Sequence, residues 1–252
     1  NVFLLLYYEP WFPRFGYDVL LLKKYWNFGK WIFFTAILYA FTGTIDSFFI
    51  GKFLDVVDLG FYAISLRWGY LILIHVTPSF QRTLFPSFSN VDYKSDIKKD
   101  YLDSVFIVAL ISFPATFGII FVAEDLLFLI ADDTWHPAIL PMKIIAICGL
   151  FRSLILADPV YASKKRTTYS FYTTLFVLIY ILLFLYPSII WNGLVGACLC
   201  ITSAFVFQFF ISHFLIAKII SIQIKEVFME IIIPLISSLA MFSLLILIRS
   251  MD

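Results

Sequence analysis

The sequence predicts an all-α fold, a polytopic bundle of about seven transmembrane helices. Three observations carry that prediction. The chain of 252 residues is 62% hydrophobic and 14% charged, with a mean hydropathy of +0.96. A soluble domain holds about 45–50% apolar and about 25% charged residues. The apolar residues fall in runs long enough to cross a bilayer, and Lys and Arg gather in alternate loops. The formal net charge of +1 points to no partner. The basic residues form no single face, which argues against nucleic acid. Cys148, Cys198 and Cys200 lie inside apolar runs without the paired spacing of a zinc site, so they are expected as buried core. No metal or cofactor is expected.

Taken in order, the chain opens at Asn1 with a short apolar stretch, Val2 to Tyr8. At about 1.5 Å rise per residue it cannot span ~30 Å of hydrocarbon. It has neither the charged flank nor the cleavage site of a signal peptide. It is read as the end of a helix whose beginning is missing, and the sequence as a fragment. Spans are then expected at residues 30–51, 60–88, 104–124, 137–160, 168–187, 192–217 and 227–248. Each is near or above the ~20 residues a crossing needs. Pro78 and Pro86 sit in the second span, which must tilt, kink or extend beyond the membrane. Pro114 and Pro234 sit inside other spans, where neighbouring helices can satisfy the freed carbonyls.

The loops set the orientation. Arg14, Lys23, Lys24 and Lys30 precede the first span, and Lys94, Lys98 and Lys99 follow the second. Lys164, Lys165 and Arg166 follow the fourth, and Lys218 and Lys225 the sixth. The intervening loops hold Lys52 with Asp55 and Asp58, then Glu124, Asp125, Asp132 and Asp133 without a basic residue, then no charge. By the positive-inside rule the segment before the first span is cytoplasmic and Asp252 lies outside.

Charged side chains inside spans cost about 2.5–3.5 kcal/mol at the helix centre on insertion scales. Those that persist face protein or a watery cavity. In the first span Thr35, Tyr39, Thr42 and Asp46 recur at helical spacing, on one face with Gly43 beside them. In the second, Arg67, His75 and Arg82 share a broad face, and Arg82 is near enough to the surface to snorkel. Arg67 and Asp46 lie at similar depth, so a structural ion pair between them is one reading. In the fourth span Arg152 is close to the midplane, with Lys143 near the outer end. Asp158 is placed nearly two turns further on and on a different face of a continuous helix. Two readings of Arg152 stand open: it meets water or an anionic ligand, or it pairs with a missing part of the protein or with backbone carbonyls. Gln208 and His213 in the sixth span are less telling, and His75 and His213 are expected as buried and hydrogen-bonded. Together these residues describe a polar, net-basic inner face. Such a face suits an anion, and guanidinium is the group best shaped to grip phosphate. No HExxH, Walker or GxSxG motif occurs, and the loops are too short for a soluble catalytic domain. The chain is therefore expected not to be an enzyme or an ATP-driven pump.

Particular strings carry a resemblance. Asp46-Ser-Phe-Phe-Ile-Gly51-Lys-Phe-Leu54 followed by Leu59-Gly60-Phe61-Tyr62 resembles the D-x-x-x-I-G-(K/R)-x-L…L-G-x-Y pattern of Wzx-type polysaccharide flippases. Those belong to the multidrug/oligosaccharidyl-lipid/polysaccharide exporters. Leu84-Phe85-Pro86-Ser87-Phe88-Ser89 resembles their motif at the cytoplasmic end of the next helix. Phe113-Pro114, an acidic outer loop ending in Trp135, and a helix from Pro137 follow in the same order. Upstream, Trp11-Phe-Pro-Arg14 and Phe28-Gly29 resemble the entry to the second lobe.

The resemblance implies two six-helix lobes around a V-shaped cavity, working by alternating access. This chain would be the second, C-terminal lobe. Residues 1–29 would be a truncated helix end and cytoplasmic linker, 30–218 the six-helix lobe, and 219–252 an additional transmembrane helix. The implied partners are a polyprenyl-pyrophosphate-linked oligosaccharide, membrane lipids and the missing N-terminal lobe. The implied location is the bacterial inner membrane, and the implied role is surface polysaccharide (O-antigen) biosynthesis. Arg67 and Arg152 are the candidates for countering the anion, and Asp46 for ion pairing or coupling. Thr35, Tyr39, Thr42 and His75 are candidates for the polar lining. The competing readings are a drug/cation antiporter of the same superfamily, which needs deep acidic residues, a membrane-embedded polysaccharide-processing enzyme, which needs a larger outer loop, and a non-functional fragment.

Overall fold

The computed structural model describes residues 19–71, 78, 97–130 and 133–251, and these contain helices and turns but no strand. Helix α1 (Val19–Thr42) passes through a short turn at Gly43 and Thr44 into α2 (Ile45–Phe53). Thr35 and Thr42 donate to the carbonyls of Trp31 (2.7 Å) and Leu38 (2.6 Å) one turn back, which satisfies both hydroxyls without water. Helix α3 (Val56–Gly69) is capped by Asp55, whose carboxylate accepts from the Asp58 N–H at 2.7 Å. Burial and the neighbouring Asp55 charge raise the Asp58 pKa above the ordinary carboxyl value. His75 and Arg82 lie outside the described residues.

Helix α4 (Ile97–Ile130) is 34 residues long with Pro114 inside it. At 1.5 Å per residue it measures about 51 Å, so it must tilt or project beyond the hydrocarbon. A 3₁₀ turn over Asp133–Ala138 leads into α5 (Ile139–Ser153). The expected continuous span at 137–160 is corrected here. The chain leaves the helix at Leu154–Leu156 and resumes as α6 (Ala157–Ser163), directly after Arg152.

The 54-residue α7 (Thr167–Ile220) is two crossings, as the sequence predicts. Asn192 and Gly193 leave helical geometry between them, and Gly193 takes a φ of 52°, a conformation that suits glycine. The arms fold back on each other, with Tyr180 and Ser203 hydroxyls 3.1 Å apart. A Cβ at Gly196 would strike the Ser188 carbonyl, so only glycine lets the arms close at this turn.

Helix α8 (Ile224–Arg249) starts with a Gln223–Glu226 capping box and packs along α4. An ion pair clips the two helices together at each end, Lys98–Glu226 at 2.7 Å and Asp125–Arg249 at 3.1 Å. The Lys98 bond and the Gln223 N–H lower the Glu226 pKa below its ordinary value. Lys98 and Glu226 belong to loops assigned to one side of the membrane, and Asp125 and Arg249 to the other.

Small residues let α3 and α5 touch. A Cβ on Gly69 would lie 2.8 Å from Ile145 Cγ2, and one on Gly149 would lie 3.1 Å from the Gly69 carbonyl. Around this crossing lies one buried cluster, including Ile50, Tyr62, Ile145, Ile181, Leu185 and Ile201. A second, including Tyr101, Val105, Leu154, Val160 and Ile216, joins α4, α5, α6, α7 and α8. The three cysteines are buried and free. Large apolar side chains such as Leu183, Ile190, Leu244 and Leu247 are exposed. Lipid removes the penalty that exposure would carry in water.

Candidate anion-binding cavity

Between α1, α2, α3, α5 and the two arms of α7 lies a cavity of about 290 Å³. Its polar lining is Tyr39, Thr42, Asp46, Tyr70, Arg152, Thr174 and Gln208. Tyr39 and Thr42 line the wall from α1, and Asp46 reaches the same wall from α2, beyond the turn at Gly43–Thr44.

Arg152 is partly buried near the end of α5, just before the break at Leu154. Its guanidinium carbon lies 4.4 Å from the Phe205 ring centroid and 5.1 Å from that of Tyr70. These contacts hold the cation against aromatic faces without neutralising it. No carboxylate of the described residues lies within ion-pair distance of it. The planar N–H edge is the part of such a group that grips phosphate or carboxylate.

Asp46 is buried, and its carboxylate is already engaged. Oδ2 accepts from the Tyr62 hydroxyl at 2.6 Å and Oδ1 from the Ser47 N–H at 2.7 Å. The Asp46–Arg67 ion pair expected from depth alone does not form. Tyr62, Ser65 and Gly69 occupy the buried face of α3, and Arg67 is on its exposed face, away from the cavity lining.

A second groove of about 270 Å³ shares Tyr39 with the first and adds Thr35, Asp158, Tyr161, Thr167 and Ser170. Here sequence reasoning missed a residue. Asp158 accepts from the Tyr39 hydroxyl at 3.0 Å and from Ser170 at 2.6 Å. Its place on a different face assumed one continuous helix, and the break at Leu154–Leu156 resets that face. Tyr70, Thr174 and Phe205 were also missed. They carry no signal in one sequence, since aromatic and Thr residues are common throughout these spans. Among the described residues no group of three or more His, Cys, Asp or Glu side chains could hold a metal ion.

Comparison with known proteins adds a family. Residues 1–140 match a model described as polysaccharide biosynthesis protein. The chain is 25% identical over 240 residues to the teichuronic acid biosynthesis protein TuaB of Bacillus subtilis, covering 94% of this chain and 49% of that protein. It is 24% identical over 245 residues to an uncharacterized membrane protein in the cps region of Klebsiella pneumoniae, covering 95% and 50%. It is 22% identical over 200 residues to the lipopolysaccharide biosynthesis protein WzxC of Escherichia coli, covering 76% and 39%. The chain thus spans about half the length, or less, of the curated relatives it matches. No solved structure matches.

Proposed function

We propose, from the premise that this chain belongs to the polysaccharide biosynthesis protein family, that it forms one lobe of a transporter that flips lipid-linked oligosaccharide. Polyprenyl-pyrophosphate-linked sugar would move from the cytoplasmic to the outer leaflet by alternating access. The observation that carries this reading is Arg152, a cation with no carboxylate partner among the described residues, held between aromatic rings in the wall of a cavity inside a membrane bundle. A helix broken beside the site is the arrangement by which transporters build mid-membrane ligand sites. Two relatives are named for the biosynthesis of teichuronic acid and of lipopolysaccharide.

In this reading Arg152 counters the pyrophosphate or an acidic sugar, and the lobe performs no covalent step. Thr42, Tyr39, Thr174 and Gln208 offer hydrogen bonds to the headgroup. Arg67 is a candidate only if its exposed face of α3 lines the path in another conformation. Asp46 positions the wall through Tyr62. The charge distribution supports a multi-pass protein of the bacterial inner membrane with the segment before residue 30 cytoplasmic. Residues 30–218 would be the six-helix lobe and α8 an added brace. An outward step of an anionic headgroup across an inside-negative membrane is downhill by about 2.3 kcal/mol per charge per 100 mV.

The test uses the full-length protein in cells. Arg152→Ala is expected to trap lipid-linked precursor at the cytoplasmic face at unchanged protein level. Normal export of surface polysaccharide would remove Arg152 from the reading.

A further inference from the structure

Two hollows in the bundle share one side chain. The Arg152 cavity of about 290 Å³ and the Asp158 groove of about 270 Å³ meet at Tyr39, which lines both. Small-molecule sites run from about 300 to about 1,000 Å³, so each hollow alone falls just short of that range and the pair falls inside it. One hollow holds a cation and the other a carboxylate, and Tyr39 interacts electrostatically with both.

Three helices build the groove. Thr35 and Tyr39 reach it from α1, Asp158 and Tyr161 from α6, and Thr167 and Ser170 from α7. Four of its five hydroxyl protons are already spent inside the protein. Tyr39 donates to Asp158 at 3.0 Å and Ser170 donates to Asp158 at 2.6 Å. Thr35 donates to the Trp31 carbonyl at 2.7 Å and Tyr161 to the Ser212 carbonyl at 3.3 Å. What stays free is acceptor capacity. A carboxylate offers about four lone-pair sites, and these two bonds leave the others open. Asp158 is half-buried and forms no ion pair among the described residues.

A groove of acceptors selects its guest. The carboxylate repels an anion. An acyl or prenyl chain would cover the carboxylate and offer it no donor, and burying a charge that way is costly. A guest with several O–H donors and an apolar ring face suits both the lone pairs and the aromatic walls. We infer that the groove is a sugar-binding subsite. It takes the first, neutral sugar of a glycosylated pyrophosphate whose phosphates meet Arg152, and Asp158 accepts protons from the sugar hydroxyls. This inference rests on the reading that Arg152 counters a pyrophosphate. Tyr39 then stands where the sugar joins the phosphate. The two hollows read the two halves of the headgroup by opposite charge, and an acidic first sugar is refused by Asp158.

The experiment measures affinity in the full-length protein in nanodiscs with three probes. They are polyprenyl pyrophosphate, the same lipid bearing one neutral hexose, and the same lipid bearing one hexuronate. Wild type should bind the hexose lipid about tenfold or more tighter than the bare lipid, the step expected of one hydrogen bond to a charged group. It should bind the hexuronate lipid no tighter than the bare lipid. Asp158→Ala should erase the hexose preference while binding of the bare lipid persists. Asp158→Asn, which keeps an acceptor for Tyr39 and Ser170, should retain part of the preference and admit the hexuronate. Misfolding lowers binding of all three probes alike and leaves their ratios intact, so the ratio reads the subsite. A hexose preference missing from wild type, or unchanged in Asp158→Ala, would overturn the inference. So would tight hexuronate binding by wild type. Arg152→Ala should weaken all three probes, and no weakening there would fault the anion reading instead.

Discussion

Replacing Tyr62 with Phe deletes one hydroxyl and, with it, the 2.6 Å bond to Asp46 Oδ2. Both residues are buried, Tyr62 fully and Asp46 at 8% exposure, so water cannot take the vacated place at full strength. A hydrogen bond to a charged group is worth about 1.5–3 kcal/mol, and the short distance marks it as charge-assisted. The Ser47 N–H still serves Oδ1, so the carboxylate is not stripped bare. The expected loss for Tyr62→Phe is therefore about 1.5–3 kcal/mol. Asp46→Asn should cost less, because an amide can still accept from Tyr62. In the double variant Tyr62→Phe/Asp46→Ala both partners are gone, and the loss should fall short of the sum of Tyr62→Phe and Asp46→Ala. The coupling should be at least about 1 kcal/mol. Equilibrium unfolding in mixed micelles of the full-length protein measures each corner of the cycle. Additive losses would mean that Asp46 and Tyr62 do not support each other, and the positioning role given to Asp46 would fail.

Four further outcomes follow from the packing, the charges and the topology. Gly69→Ala should destabilise by about 1–3 kcal/mol, since its Cβ meets Ile145 and the Ala146 backbone. Gly118→Ala, with nothing within 4 Å, should be neutral or stabilising by the same unfolding assay. The Lys98–Glu226 clip should depend on pH. Glu226 has a lowered pKa, so its contribution is present above the ordinary Glu value of about 4.3 and disappears as pH falls through the lower folded value. Melting curves of wild type and Glu226→Gln should thus differ at neutral pH, less so in high salt, and converge in acid. Finally, in a cysteine-free background, Lys164→Cys should react with a membrane-impermeant thiol reagent only from the cytoplasmic side and Asp133→Cys only from the outside.

Most of the helices were legible because lipid imposes one rule on every crossing: apolar outside and self-satisfied backbone within. The runs at 104–124 and 227–248 fall inside α4 and α8, and the turn between 187 and 193 is the Asn192–Gly193 reversal. The breaks at Gly43–Thr44 and Leu154–Leu156 were not legible. Leu-Ile-Leu is an unremarkable apolar stretch, and only tertiary packing decides that the helix stops there. That gap explains the uneven outcome at the site. Arg152 could be singled out by depth alone. Arg67 could not be aimed, because periodicity groups residues on a face without saying which face looks inward. Asp158 was assigned to a different face because a straight helix was assumed. Tyr62 could not be chosen as the partner of Asp46, since many tyrosines lie at comparable depth.

The most direct measurement is headgroup translocation in proteoliposomes containing the full-length protein and a fluorescent polyprenyl-pyrophosphate oligosaccharide. Wild type should move the lipid between leaflets. Arg152→Ala should slow that movement by about tenfold or more, a loss of about 1.4 kcal/mol at the site, and Arg152→Lys should retain part of it. Equal rates for all three would contradict the claim that this cation meets the cargo.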